Sequence, residues 1–131
     1  MLISSSEDTY LADGRFDMDR MVRFLRGSLA EAAALGRHVR TAGWMDWMHR
    51  GAPGTERMLE YEARMNFLAA DFDCTFTCVY DLSKLDGATV ADIIATHPYV
   101  VMRKQIRQNP FYIPPEIFLR DMRSGNTTPS A

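Results

Sequence analysis

Apolar positions recur at helical spacing in two long stretches of the chain. The first follows Asp17, a residue suited to cap a helix, and runs to about Leu35, where Gly36 can end it. Its apolar positions are Met18, Met21, Val22, Leu25, Leu29 and Ala32 or Ala33. The second runs from Thr55 to about Ala70, with apolar positions at Met58, Leu59, Tyr61, Met65 and Leu68. These stretches predict two amphipathic helices.

Shorter runs rich in β-branched and aromatic residues predict strands. The strongest run covers residues 74–80, where both faces are apolar or Thr, as in a strand buried at the centre of a sheet. Further strands are predicted at Leu2-Ile3, at residues 38–42, and at residues 99–102 and 105–107, which form a hairpin around Arg103-Lys104. Two short helices are predicted at residues 87–96 and 114–122.

Strands and helices therefore alternate along most of the chain. This order predicts an α/β fold, with a mostly parallel sheet flanked by helices and with a C-terminal β-hairpin and last helix. Residues 1–123 are expected to form a single domain. Residues 124–131 are small and polar, which indicates a flexible tail.

Composition narrows the classes of function. The net charge of -2 over 131 residues gives no electrostatic support for nucleic-acid or anionic-membrane binding. No run approaches the ~18 apolar residues of a membrane span, and the N-terminus lacks the basic region of a signal peptide. Cys74 and Cys78 are expected to be reduced, buried thiols, because no further residues at zinc-ligand spacing accompany them. We therefore expect a soluble, cytoplasmic protein without a cofactor.

Motifs that would identify an enzyme are missing from the sequence. It contains no phosphate loop, no dinucleotide-binding glycine motif and no nucleophile elbow. The three histidines, His38, His49 and His97, lie in different segments, where a surface or capping role is the simpler interpretation of each. The sequence therefore predicts a protein that is not an enzyme.

Candidate binding residues follow two predicted strands, at the edge where ligands gather in open α/β sheets. Tyr80 and Asp81 end the strongest strand; Asp81 either holds a metal ion or caps the turn containing Ser83. Trp44 and Trp47 follow the preceding strand with Asp46 between them. Such a patch suits an apolar pocket or a partner surface, and closing the end of the core is an equal alternative.

Prolines mark the ends of the predicted hairpin. His97-Pro98 precedes it, and residues 109–115, which contain three of the six prolines, follow it. Prolines limit the entropy lost on folding, so this segment should be rigid. It is either a connector that holds the last helix or a preorganised wall of a site, in which Asn109 and Tyr112 would take part.

Several segments, in this order and spacing, resemble the MEDS domain, the methanogen/methylotroph, DcmR-type sensory domain. They are residues 9–16 (TYLADGRF), 43–47, 59–62 (LEYE), 78–81 (CVYD), His97-Pro98 and 109–115 (NPFYIPP). The resemblance implies a RecA-like sheet without the phosphate loop and a role in sensing small, hydrocarbon-derived molecules. It implies no catalytic residues. The family often has Gly-Glu where this chain has Gly43-Trp44.

The resemblance also indicates that the chain corresponds to the C-terminal part of the family's domain. An incomplete sheet would expose an edge, which predicts a homo-oligomer or a partner chain that covers it. The overall prediction is a non-enzymatic sensory module that binds a small, mostly apolar ligand or a signalling protein. Its predicted lining residues are Trp44, Asp46, Trp47, Tyr80, Asp81, His97, Asn109 and Tyr112. The alternatives are a degenerate RecA-like nucleotide-binding domain, with Asp81 as metal ligand, and an oligomerising scaffold.

Overall fold

The hydrophobic periodicity of the sequence correctly predicts the helices and most strands of the computed structural model. The structure describes residues 1–125. The helices are α1 (Met18–Ala34), α2 (Met58–Asp71), α3 (Gly87–Ala95) and α4 (Pro115–Arg123). The strands are β1 (Val39–Trp44), β2 (Cys74–Val79), β3 (Tyr99–Met102) and β4 (Gln105–Gln108). Of the predicted tail, residues 126–131 lie outside the described residues.

The strand predicted at Leu2-Ile3 is wrong. Both side chains are exposed, and the segment that follows is a series of turns. Ser5 explains the difference, since its hydroxyl donates to Asp8 Oδ2 at 2.8 Å and accepts from the Asp8 N–H at 3.2 Å. Two apolar residues are too few to compete with such local side-chain bonds.

The sheet is smaller than the sequence predicted. β1 and β2 form a parallel pair, in register from Val39 opposite Cys74 to Trp44 opposite Val79. β3 and β4 pair only with each other, as an antiparallel hairpin. Within residues 1–125 there are thus two parallel strands, and a larger RecA-like sheet is not found.

The prediction that β2 is a central strand buried on both faces is also wrong. Thr75 and Thr77 are exposed, while Phe76 and Cys78, on the other face, pack against the core. Threonine tolerates either water or protein, so its presence on one face did not distinguish a central strand from a strand with one solvated face.

The hairpin turns where the sequence predicted. Arg103 and Lys104 both have positive φ, 50° and 64°, the backbone conformation of the two-residue type I′ turn that matches strand twist. Neither residue is a glycine or asparagine, so the turn stores some backbone strain.

The main core lies between α1, α2 and the inner face of the β1–β2 pair. Trp47 is completely buried at the centre of this core. The Tyr10 ring stacks on the Trp47 ring with centroids 4.9 Å apart, and the centroids of the Phe16 and Trp47 rings are 4.7 Å apart. A second cluster packs α4 onto α2 and α3; its buried members are Ala63, Ala95, Phe118 and Leu119. Within residues 1–125, no helix has the length and apolar character that crossing a membrane requires.

Gly54 holds the start of α1 close to the loop before α2. Its φ is 91°, and a Cβ at this position would lie 1.9 Å from the backbone oxygen of Phe16, whose N–H donates to Pro53 O at 2.8 Å. We expect Gly54→Ala to lower the free energy of unfolding by about 1 to 3 kcal/mol more than Gly51→Ala. Gly51 is the matched control because its φ is 70° and its Cβ position is open. Urea unfolding measures both variants, and equal losses would contradict the close approach.

Asn109 joins the end of the hairpin to the end of α3. Its side-chain N–H groups donate to Ile94 O and His97 O, both at 2.7 Å, and its Oδ1 accepts the Phe111 N–H at 2.9 Å. Since each such bond contributes about 1 kcal/mol, we expect Asn109→Ala to destabilise the fold by about 2 to 3 kcal/mol. The exposed neighbour Gln108 is the control, and Gln108→Ala should change stability by less than about 0.5 kcal/mol. Thermal unfolding midpoints that coincide for the two variants would refute the bracing role.

Candidate functional site

An apolar groove of about 580 Å³ lies between β2 and α3 on one side and the β3–β4 hairpin on the other. Its walls are mostly aliphatic and aromatic. The apolar lining residues are Phe76, Tyr80, Leu82, Leu85, Val90, Ile93, Ile94, Pro98, Tyr99, Val100, Val101, Met102 and Ile106. The groove exists because the hairpin does not add to the β1–β2 pair and instead faces it across a gap.

Polar groups in the lining include His97 and Cys78, which meet the buried carboxyl group of Glu62. The Glu62 side chain is 1% exposed, and its Oε2 lies 3.0 Å from His97 Nε2. The Cys78 thiol donates to the other carboxylate oxygen, Oε1, at 3.6 Å. Although Oε2 is within ion-pair distance of the ring, the alignment does not give it a hydrogen bond. Three residues from α2, β2 and the end of α3 thus converge beneath the groove.

The ring of His97 is oriented by the end of α3. Its Nδ1 lies 2.9 Å from both Ile93 O and Thr96 Oγ1, and the Thr96 hydroxyl itself donates to Ile93 O at 2.8 Å. A carbonyl oxygen can only accept, so we assign a hydrogen to Nδ1, which leaves Nε2 to face Glu62. Burial lowers the pKa of His97, but the adjacent Glu62 carboxylate and the contact with the Ile93 carbonyl raise it by more, so the net shift is upward.

The other titratable groups around Glu62 are held neutral. Burial, followed by the negative charge of Glu62, raises the pKa of Cys78 and of Tyr80. Burial is likewise the main cause of the raised pKa values of Tyr10 and Tyr61, to which Glu62 adds. Cys78, Tyr80, Tyr10 and Tyr61 therefore keep their protons at neutral pH.

Two of the eight predicted lining residues, Tyr80 and His97, line this groove together. Their rings meet edge to face with centroids 6.4 Å apart. The two tryptophans of the predicted patch are separated: Trp47 is in the core, as the alternative interpretation allowed, whereas Trp44 is 64% exposed and lines a smaller cavity of about 250 Å³.

Asp46 and Asp81 meet at the carboxyl edge of the parallel pair, outside the groove lining. Lys84 Nζ lies 3.1 Å from Asp46 and 4.0 Å from Asp81. The Asp81 carboxylate also accepts the Ser83 hydroxyl at 2.6 Å and its N–H at 3.0 Å, and these bonds lower the pKa of Asp81. This is the turn cap that the sequence allowed as the alternative to a metal ligand.

Asn109 and Tyr112 lie on the far side of the α3–hairpin junction. Asn109 is buried within the bonds described above, and the Tyr112 hydroxyl donates to Asn66 Oδ1 at 3.3 Å. Asn66 in turn donates to Thr96 O at 2.8 Å, so both residues support the segment that carries His97.

Sequence reasoning missed Glu62 and Cys78 as site residues. Glu62 follows Met58 by four positions and precedes Met65 by three, so it falls inside the apolar stripe of α2, where a charged side chain is unexpected. That placement was the available signal. Cys78 was considered only with Cys74, and nothing in the sequence connects it to residues 62 and 97 before the fold is known.

A scan against protein-family models matches residues 1–98 to MEDS, described as the methanogen/methylotroph, DcmR sensory domain. Neither the curated proteins nor the solved structures contain a significant match. The matched residues include Glu62, Cys78, Tyr80 and His97, while the resemblance of residues 109–115 lies beyond the match and stays a prediction. With three quarters of its length matched, the chain belongs to the MEDS family of sensory domains.

Proposed function

We propose that this chain is a non-enzymatic sensory module whose groove binds a small, mostly apolar molecule. The observation that carries the proposal is the combination of an apolar groove with one polar cluster in its lining. Its volume of about 580 Å³ falls in the range of small-molecule sites, and such sites typically pair apolar walls with a few placed polar groups. Membership of a sensory family supports the same interpretation.

The hairpin wall of the groove supports the proposal further. Val101 and Ile106 are opposite each other in the β3–β4 register, both line the groove, and they are 64% and 75% exposed. A ligand that covers this pair would gain about 25 cal/mol for each Å² of apolar surface removed from water. An exposed apolar pair at the mouth of a cavity is thus well placed to contribute binding energy.

The experiment titrates the chain with Nile red, an uncharged dye that fluoresces in apolar surroundings. We expect saturable binding to the wild-type chain and about five- to thirtyfold weaker binding to the Val101→Ser/Ile106→Ser variant, since the lost apolar contact corresponds to about 1 to 2 kcal/mol. The control is Leu35→Ser/Phe111→Ser, which removes two equally exposed apolar side chains outside the groove lining. Unsaturable binding, or equal binding by both double variants, would refute a ligand groove.

A second candidate is that a second copy of the chain covers the groove. β2 pairs with β1 along one edge only, and its other edge has no strand partner among residues 1–125. Unpaired backbone groups beside exposed apolar residues are the usual template for association between chains.

Sedimentation velocity over a concentration series tests this candidate. Association through the groove predicts a wild-type sedimentation coefficient that rises with concentration and a Val101→Ser/Ile106→Ser variant that stays monomeric. A wild-type chain that remains monomeric at every concentration excludes self-association, and dimers that persist in the variant place the contact elsewhere.

A further inference from the structure

We propose that Glu62, Cys78 and His97 bind a divalent transition-metal ion of the Zn²⁺ type beneath the groove. Each residue offers one ligand atom, and these atoms all lie within 4.8 Å of one another. They come from α2, from β2 and from the segment after α3, so three separate elements bring them together. The sequence alone did not predict a metal site at these residues, because the three positions are far apart along the chain.

Two of the separations between candidate ligand atoms are close to those of a tetrahedral zinc ion. Bond lengths of 2.0 to 2.3 Å at tetrahedral angles place neighbouring ligand atoms about 3.4 to 3.6 Å apart. Cys78 Sγ is 3.6 Å from Glu62 Oε1, and His97 Nε2 is 3.0 Å from Glu62 Oε2. All three ligand atoms lie within 4.8 Å of one another, so binding one ion would require the side chains to move closer together. A thiolate, an imidazole and a carboxylate together favour Zn²⁺ over Mg²⁺ or Ca²⁺, which prefer oxygen ligands alone.

The buried carboxylate supplies an independent reason for a cation. Glu62 Oε2 is fully buried and has no hydrogen-bond partner among the described residues, yet it faces His97 Nε2. The hydrogen assigned to Nδ1 leaves Nε2 directed toward this oxygen at 3.0 Å. A metal ion bound to both atoms would give the buried carboxylate oxygen a positively charged partner.

The surroundings of His97 resemble the support that metal-binding histidines receive. Its Nδ1 faces the Ile93 carbonyl at 2.9 Å, and ligating histidines usually donate their second ring N–H to such a group, which fixes the ring. The His97 side chain is 23% exposed and borders the groove, whereas Glu62 lies behind it. Three protein ligands leave a fourth position open, as in zinc sites that accept water or a ligand.

The open position gives the groove a polar end. A small apolar molecule with one donor atom, such as a carboxylate or a thiol, would fill the groove with its apolar part and coordinate the ion with that atom. This step alone rests on the proposed sensory function; the metal site itself does not.

Cobalt(II) is the probe, because a thiolate ligand gives Co²⁺ an intense near-ultraviolet charge-transfer band. The chain has two cysteines, so the Cys74→Ser variant carries Cys78 as its only thiol and leaves the three ligands intact. We expect one Co²⁺ per chain and the charge-transfer band in both the wild type and Cys74→Ser, with Zn²⁺ abolishing the band by displacement. Cys78→Ser should lose the band and at least about a hundredfold in metal affinity.

The outcomes separate this site from its rivals. The absence of a thiolate band in Cys74→Ser would overturn the site, even if Cys78→Ser failed to fold, and would leave His97 and Glu62 as an ion pair only. A band that is present in the wild type and absent in Cys74→Ser would assign the metal to Cys74, and it would also overturn the proposed site at Glu62, Cys78 and His97. As a second readout, Zn²⁺ should raise the unfolding temperature of Cys74→Ser but not of Glu62→Gln, because only an ion bound to the folded state stabilises it.

Failure of the metal site and failure of the ligand groove remain distinguishable. Nile red tests the groove in metal-free protein, and cobalt tests the cluster without any apolar ligand. A chain that binds the dye but no cobalt has a ligand groove and no metal site. A chain that binds cobalt but no dye has the metal site, and only the proposed ligand groove is overturned.

Discussion

The burial of the Glu62 carboxylate is the constraint on which the arrangement of this domain depends. An isolated charge in the interior costs several kcal/mol, and the penalty is offset only when compensating groups are held close to it. Those groups, His97 and Cys78, belong to other elements than α2. The position of one carboxylate therefore links α2, β2 and the end of α3. Asn109 extends the link, because its side chain donates to the backbone oxygen of His97 and so joins the hairpin to the same point.

Local patterns predicted the helices and the hairpin well, because each depends on residues near in sequence. Asp17 caps α1 through a bond to the Arg20 N–H, and the hairpin turns at Arg103 and Lys104 as expected. The sheet could not be predicted in this way. Whether the hairpin also joins β2 depends on contacts between residues far apart in sequence, and the alternating Thr residues of β2 are compatible with either result.

The prediction of the site used a correct rule but assumed a larger sheet than the structure contains. Side chains after parallel strands do meet at one edge, as Asp46 and Asp81 do at Lys84. The larger groove lies elsewhere, because it forms from the gap between β2 and a hairpin that was expected to extend the sheet. Glu62 was missed because a glutamate in a helix is normally solvated, and its position within the apolar stripe of α2 was the one sequence signal that this glutamate is buried.

The segment from His97 to Tyr112, which has prolines at both ends of the hairpin, joins the core to the hairpin wall of the proposed ligand groove. Its ends are held to the core by Asn109 and by the bond from Tyr112 to Asn66, whereas the hairpin between them is largely exposed. One wall of the groove thus belongs to the core. The other wall is the β3–β4 hairpin, which is held to the core mainly at its two ends. A ligand shifts a conformational equilibrium only when it binds two states unequally. A molecule that contacts both walls satisfies that requirement, because its contacts depend on where the hairpin lies, and an ion held by His97 would act at the base of the same hairpin.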